Sequence, residues 1–161
     1  MKNILTSLVL AGALCAPGLA QAQIVRSGAP TANASRSVLV PAGAQTLYLS
    51  GVVATPVDPA RPTEFGDTKA QLINIFEQID ETLKAQGFSL GDIVLMKVYL
   101  ANDPSKGGQF DRDAWLEVLH MYFGTKAQPN KPAAVVLPVP ALVRPSFLAE
   151  VEVQAARVTP K

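Results

Sequence analysis

Few residues in this chain have the type and spacing that chemistry would require. His120 is its one histidine and Cys15 its one cysteine. A zinc centre draws on several imidazole, thiolate or carboxylate ligands, so with a single imidazole and no thiolate cluster no metal site is expected, and no motif calls for a cofactor. His120 itself reads as a packed or surface residue on a helix. Trp115 could offer its ring to a ligand, but it falls on that helix's apolar stripe, where an aromatic is ordinarily core. Carboxylates remain. Glu150 lies in the run Leu148 to Val158 (LAEVEVQAARV), where Glu150, Glu152 and Gln154 alternate with Ala149, Val151, Val153 and Ala155. By spacing alone this is the wet face of a strand.

The elements that must position such residues are organised around Gln71 to Asp103. Leu72, Phe76, Ile79 and Leu83 recur at helical spacing, with Glu77, Asp80, Glu81 and Lys84 between them, so a helix is expected with one apolar stripe. Asp67 or Thr68 is positioned to cap its start and Gly87 to close its end. Ile93 to Ala101 is an almost unbroken apolar run interrupted only by Lys97, which predicts a central strand covered on both faces. Before this unit, Ser37–Val40 and Thr46–Val53 read as two strands joined by Pro41–Gln45, a hairpin signal. After it, Phe110–Phe123 reads as a second amphipathic helix ended by Gly124. Ala133–Val139 follows as a strand that Pro138 and Pro140 confine to an edge, and Leu148–Val158 is the last strand. The order ββαβαββ predicts an α+β sandwich, two helices on one face of a mainly antiparallel sheet. The other face would lack a partner within the chain, which predicts oligomerisation.

Composition narrows the partners. Lys2, the apolar run Ile4–Cys15 and the small-x-small triplet Ala20-Gln21-Ala22 form a secretory signal peptide, expected to be cleaved after Ala22. The run is too short, and too close to Pro17, for a membrane anchor. Leu14 sits where a lipid-attachment site would have a small residue. The organisation expected is therefore a signal peptide at 1–22, a flexible arm at 23–35 and one domain at 36–158, exported and most simply periplasmic, with no membrane attachment once the leader is gone. Residues 23–161 carry 13 basic and 13 acidic side chains. A neutral chain without a Lys/Arg cluster argues against nucleic acid and for a small molecule or another copy of itself. Loss of Cys15 with the leader also removes any disulfide.

Several of these positions together resemble the RidA/YjgF family, the Rid superfamily: Ser50-Gly51, Gln71, Gly87, Gly91-Asp92-Ile93-Val94, Lys97-Val98-Tyr99-Leu100, Tyr122-Phe123, Pro132-Ala133 and Glu150-Val151-Glu152. The resemblance implies a chorismate-mutase-like fold and a homotrimer whose sheets pack inside, helices outside, with a ligand cleft between subunits. In the deaminating members that cleft hydrolyses reactive enamines and imines such as 2-iminobutanoate. The family's arginine, which would grip the substrate carboxylate in a two-pronged bond, follows the Pro-Ala that is Pro132-Ala133 here, and this chain has Ala134. The family's first-strand tyrosine falls near Ser37, and its second-helix asparagine is replaced by Leu116. Glu150 occupies the place of the family's water-orienting glutamate. Gly51 and the backbone of Val136 match cleft-lining positions, and Arg36 and Arg144 are the candidates for a substitute cation.

Two functions of different class follow from the resemblance. The first is an exported homotrimer that binds a small molecule in inter-subunit clefts without the family's imine deaminase chemistry. The alternative is an enzyme, a hydrolytic enamine/imine deaminase or a related hydrolase, using Glu150 to position water. A third, a holdase or structural partner, rests on relatives described as chaperone-like. Export also separates the chain from the cytoplasmic pyridoxal-phosphate enzymes that generate reactive enamines.

Overall fold

The computed structural model describes residues 23–158, and the expected signal segment 1–22 lies outside them. Six strands and two helices follow in the order β1 (Val25–Ser27), β2 (Ser37–Leu39), β3 (Gln45–Val53), α1 (Thr68–Ala85), β4 (Ile93–Ala101), α2 (Arg112–Tyr122), β5 (Ala133–Val139) and β6 (Ala149–Arg157). The last four strands form one sheet in the order β3-β6-β4-β5, in which β6 runs antiparallel to both neighbours and β4 and β5 are parallel. The molecule is thus α+β, two helices on a mixed, mainly antiparallel sheet.

Helix α1 forms where the stripe predicts. Asp67 caps it, accepting a 2.8 Å hydrogen bond from the Ala70 N–H. Gly87, with φ +75°, ends it in the left-handed conformation while the Phe88 N–H returns to the Leu83 carbonyl at 2.8 Å, a helix stop that a side chain at position 87 would strain. Leu72, Ile75, Phe76, Ile79 and Leu83 are fully buried against Met96, Val98 and Leu100 of β4 and Val151 of β6. Gln71 is buried with them, and its amide is satisfied. Its Nε2 donates to the Gly66 and Ser146 carbonyls at 3.1 and 2.9 Å, and its Oε1 accepts from the Leu148 N–H at 2.8 Å. A polar group can sit in a core on those terms, and here it fixes the segment that leads into β6. Asp111 caps α2 through the Ala114 N–H at 3.0 Å, so the helix begins at Arg112 rather than at Phe110. Phe76 joins the two helices, its ring 6.3 Å from Trp115, 5.1 Å from Tyr122 and 5.7 Å from Phe123. Trp115 is therefore core, as its place on the stripe implies.

Three expectations change. The two early strands do not form a hairpin: β2 pairs instead with β1, and β3 pairs with β6. Part of the segment expected as a flexible arm is accordingly a strand, held also by Arg26, which donates to the Gly91 and Ile93 carbonyls at 2.9 and 3.3 Å. The third concerns β4, which is central, as its apolar run predicts, but which this chain covers on one face only. Its alternate residues Leu95, Lys97 and Tyr99 remain half-exposed on the side away from the helices. That outer face carries the Lys97–Glu152 ion pair at 2.8 Å and three exposed apolar side chains, Tyr48 at 68%, Val135 at 41% and Leu137 at 39%. Strand β5 lies at the sheet edge, where Pro138 costs no ladder bond to a second neighbour. Among the described residues no helix is long and apolar enough to cross a membrane.

Candidate functional site

Where α2 crosses the edge strand β5, a cavity of about 310 Å³ opens, at the lower end of the range that accommodates small ligands. Strand alternation supplies one wall. Ala134, Val136 and Pro138 pair with Met96, Val98 and Leu100 and so face the helices. Helical spacing supplies the other, Arg112, Trp115, Leu116 and Leu119 standing three, four and seven residues apart along one stripe of α2, with Phe110 just before it. Asn33 and Ala34 close the third side. The loop that bears them is fastened to the chain entering β5. The Ser35 N–H donates to the Pro132 carbonyl at 2.8 Å, the Ser35 hydroxyl to the Lys131 carbonyl at 2.6 Å, and Lys131 Nζ to the Pro30 and Ala32 carbonyls at 2.9 and 2.7 Å.

The cavity is apolar except for Arg112 and Asn33. The Arg112 side chain is 64% exposed, and among the described residues its one ion-pair contact, to the more exposed Asp113, is a loose 4.0 Å, a contact of negligible strength in water. Its other acidic neighbour, Asp111, is engaged elsewhere. The Ala114 N–H and the Lys106 ammonium at 2.9 Å hold the Asp111 carboxyl below its ordinary range. Asn33 Oδ1 lies 3.0 Å from His120 Nε2, so with Nε2 protonated the imidazole donates to the amide oxygen.

Glu150 belongs to a different place. Strand β3 bulges between Leu49 and Val52 against β6, and Gly51 lies in the bulge beneath the Glu150 side chain. A Cβ at position 51 would stand 1.9 Å from Glu150 Oε1 and 2.8 Å from its Cδ. The space a side chain at 51 would take is filled by the end of the Glu150 side chain, so a larger residue there requires that side chain to move. No ion pair among the described residues engages Glu150.

The residues singled out from the sequence therefore fall into separate groups. Ala134, Val136 and Leu116 share the cavity. Gly51 and Glu150 meet each other but do not line it. Arg36 and Arg144, the substitute cations expected from the sequence, are also absent from its walls. The Arg36 N–H donates to the Ser27 carbonyl at 2.7 Å, in the bend between β1 and β2. The Arg144 guanidinium lies 5.7 Å from the Phe147 ring, in the loop before β6. Arg112 is the cation the cavity does have, and sequence reasoning passed over it. The signal was its spacing, since a residue three before Trp115 and four before Leu116 must share their face.

A model of the family described as Endoribonuclease L-PSP matches residues 27–157. Over 57 residues the chain is 44% identical to a RutC family protein of Sulfurisphaera tokodaii, a stretch amounting to 34% of this chain and 43% of that protein, so the match spans less than half the relative's length. Among solved structures, it is similar to the Rid family protein YyfB of Yersinia pestis, with 22% identity and a TM-score of 0.61 over 78% of this chain and 87% of that one. RidA from an Antarctic Psychrobacter is 27% identical, with a TM-score of 0.53 over 81% and 93% of the two chains. Escherichia coli TdcF, solved with bound serine, is 24% identical, with a TM-score of 0.56 over 74% and 85%.

Proposed function

Since the chain belongs to the RidA/YjgF family, we propose that it is an exported homotrimer that binds a small molecule in clefts between subunits and lacks the family's imine deaminase chemistry. The observation that carries this reading is the wall at Ala134. The position where the resemblance places the family's arginine bears a methyl group, and it lies in an apolar cavity beside Val136 and Leu116. Removing a desolvated guanidinium–carboxylate pair costs several kcal/mol, on the order of 2–5, which lowers a rate by orders of magnitude. The half-exposed outer face of the sheet supports the inter-subunit part of the reading.

The family's description names an endoribonuclease. For this chain a formal charge of +1 over 161 residues, with no Lys/Arg cluster, argues against an RNA substrate, whose phosphates demand a basic surface. Hydrolysis of an enamine or imine, with Glu150 positioning the water, is the alternative that the surviving glutamate keeps open. Ammonia release from freshly generated 2-iminobutanoate separates the two. The parent protein is expected not to exceed spontaneous hydrolysis, and Ala134→Arg to gain turnover. An active parent silenced by Glu150→Gln would establish the enzyme instead.

A further inference from the structure

We infer that the cavity between α2 and β5 selects a monocarboxylate with an apolar, ring-sized body, its carboxylate held by Arg112 with the amide of Asn33. This rests on the reading of that cavity as the ligand site and adds what it takes and which residues decide it. Phe110, Trp115, Leu116, Leu119, Val136 and Pro138 present carbon to the interior, so the part of the ligand they enclose must be apolar. Charge is available on one side only. Among the residues lining the cavity Arg112 is the sole ionised side chain; among the described residues its ion-pair partner is an exposed Asp113 at 4.0 Å, and the adjacent Asp111 is committed to Lys106 and the Ala114 N–H. A guanidinium without a close partner, at the edge of an apolar cavity, is matched by a planar carboxylate that can accept two parallel hydrogen bonds.

Asn33 adds to the match. Where His120 Nε2 carries the ring proton it donates to Asn33 Oδ1 at 3.0 Å, which occupies the acceptor end of the amide and leaves its NH₂ as a donor on the cavity's third side. The site therefore presents donors to an anion and an apolar lining to its body. The cation stands on the helix wall, whereas position 134 is on the strand wall. A carboxylate held by Arg112 is consequently not held where an arginine at 134 would hold it, which is consistent with binding without the family's chemistry.

Phenylacetate and its neutral isostere phenylacetamide test this, titrated into the purified protein by calorimetry and by fluorescence of Trp115, the chain's one tryptophan and part of the cavity wall. Phenylacetate is expected to bind roughly tenfold or more tightly than phenylacetamide. Arg112→Gln, a change at an exposed position that the fold does not need, removes that preference and leaves phenylacetamide unaffected, while Arg112→Lys restores part of it. Equal binding of the two probes, or an Arg112→Gln protein that keeps the preference, would overturn the assignment of Arg112 and leave the cavity as a ligand site. Binding of neither probe by either readout would overturn both.

Discussion

At the scale of single residues, Gly51 and Glu150 meet where β3 bulges against β6. Alternation alone makes Glu150 a wet-face residue, and in the structure its carboxylate rests where a Cβ at position 51 would be. This makes a coupled pair. Gly51→Ala is expected to cost about 1 kcal/mol in the parent, because the Glu150 side chain must be displaced, and close to nothing beside Glu150→Ala, where the space is empty. Urea unfolding of the two single variants and the double variant measures the coupling; additive losses would mean that the two side chains do not compete. Ala134, Val136 and Leu116 were singled out by the family resemblance, and strand alternation puts Ala134 and Val136 on one face; that Leu116 meets them follows from the packing of α2 on β5. Arg112 was missed because a charged residue in a helix's first turn ordinarily faces water, and only the crossing of α2 over β5 turns its stripe into a cavity wall.

At the scale of elements, local signals carried well and pairing did not. The unit from Gln71 to Asp103 was legible because helix stripe, cap, terminal glycine and buried strand all agree over a short stretch. The expected hairpin failed for a physical reason. Period-two patterning reports that a strand exists, but its partner is chosen by long-range register, and β3 finds a longer partner in β6 than the three-residue β2 could offer. The start of α2 has a pH signature. Asp111 is held below its ordinary range by the Ala114 N–H and Lys106, so it contributes stability that is fully present above the unfolded carboxyl value of about 3.9 and is lost as pH falls through the lower folded value. Asp111→Ala should therefore cost about 1 kcal/mol at pH 7 and clearly less at pH 3. A loss of the same size at both pH values would show that the charge of the cap contributes nothing.

At the scale of the whole molecule, the sheet has one face buried by two helices and one face bearing Tyr48, Val135, Leu137 and the half-exposed Leu95 and Tyr99 around the Lys97–Glu152 pair. The apolar run of β4 predicted cover on both sides, and one chain supplies only half of it. The missing cover is the strongest physical reason to expect a second and third copy. The proposed binding clefts lie between subunits, so the binding reading and the oligomeric state stand together. The most direct test is the solution mass of the purified protein by sedimentation equilibrium, beside a Val135→Glu variant that places a charge on the outer face. The account predicts three times the protomer mass for the parent and loss of that assembly in the variant. A parent that sediments as a single folded chain would contradict it, since neither the outer face nor the cavity would then be completed.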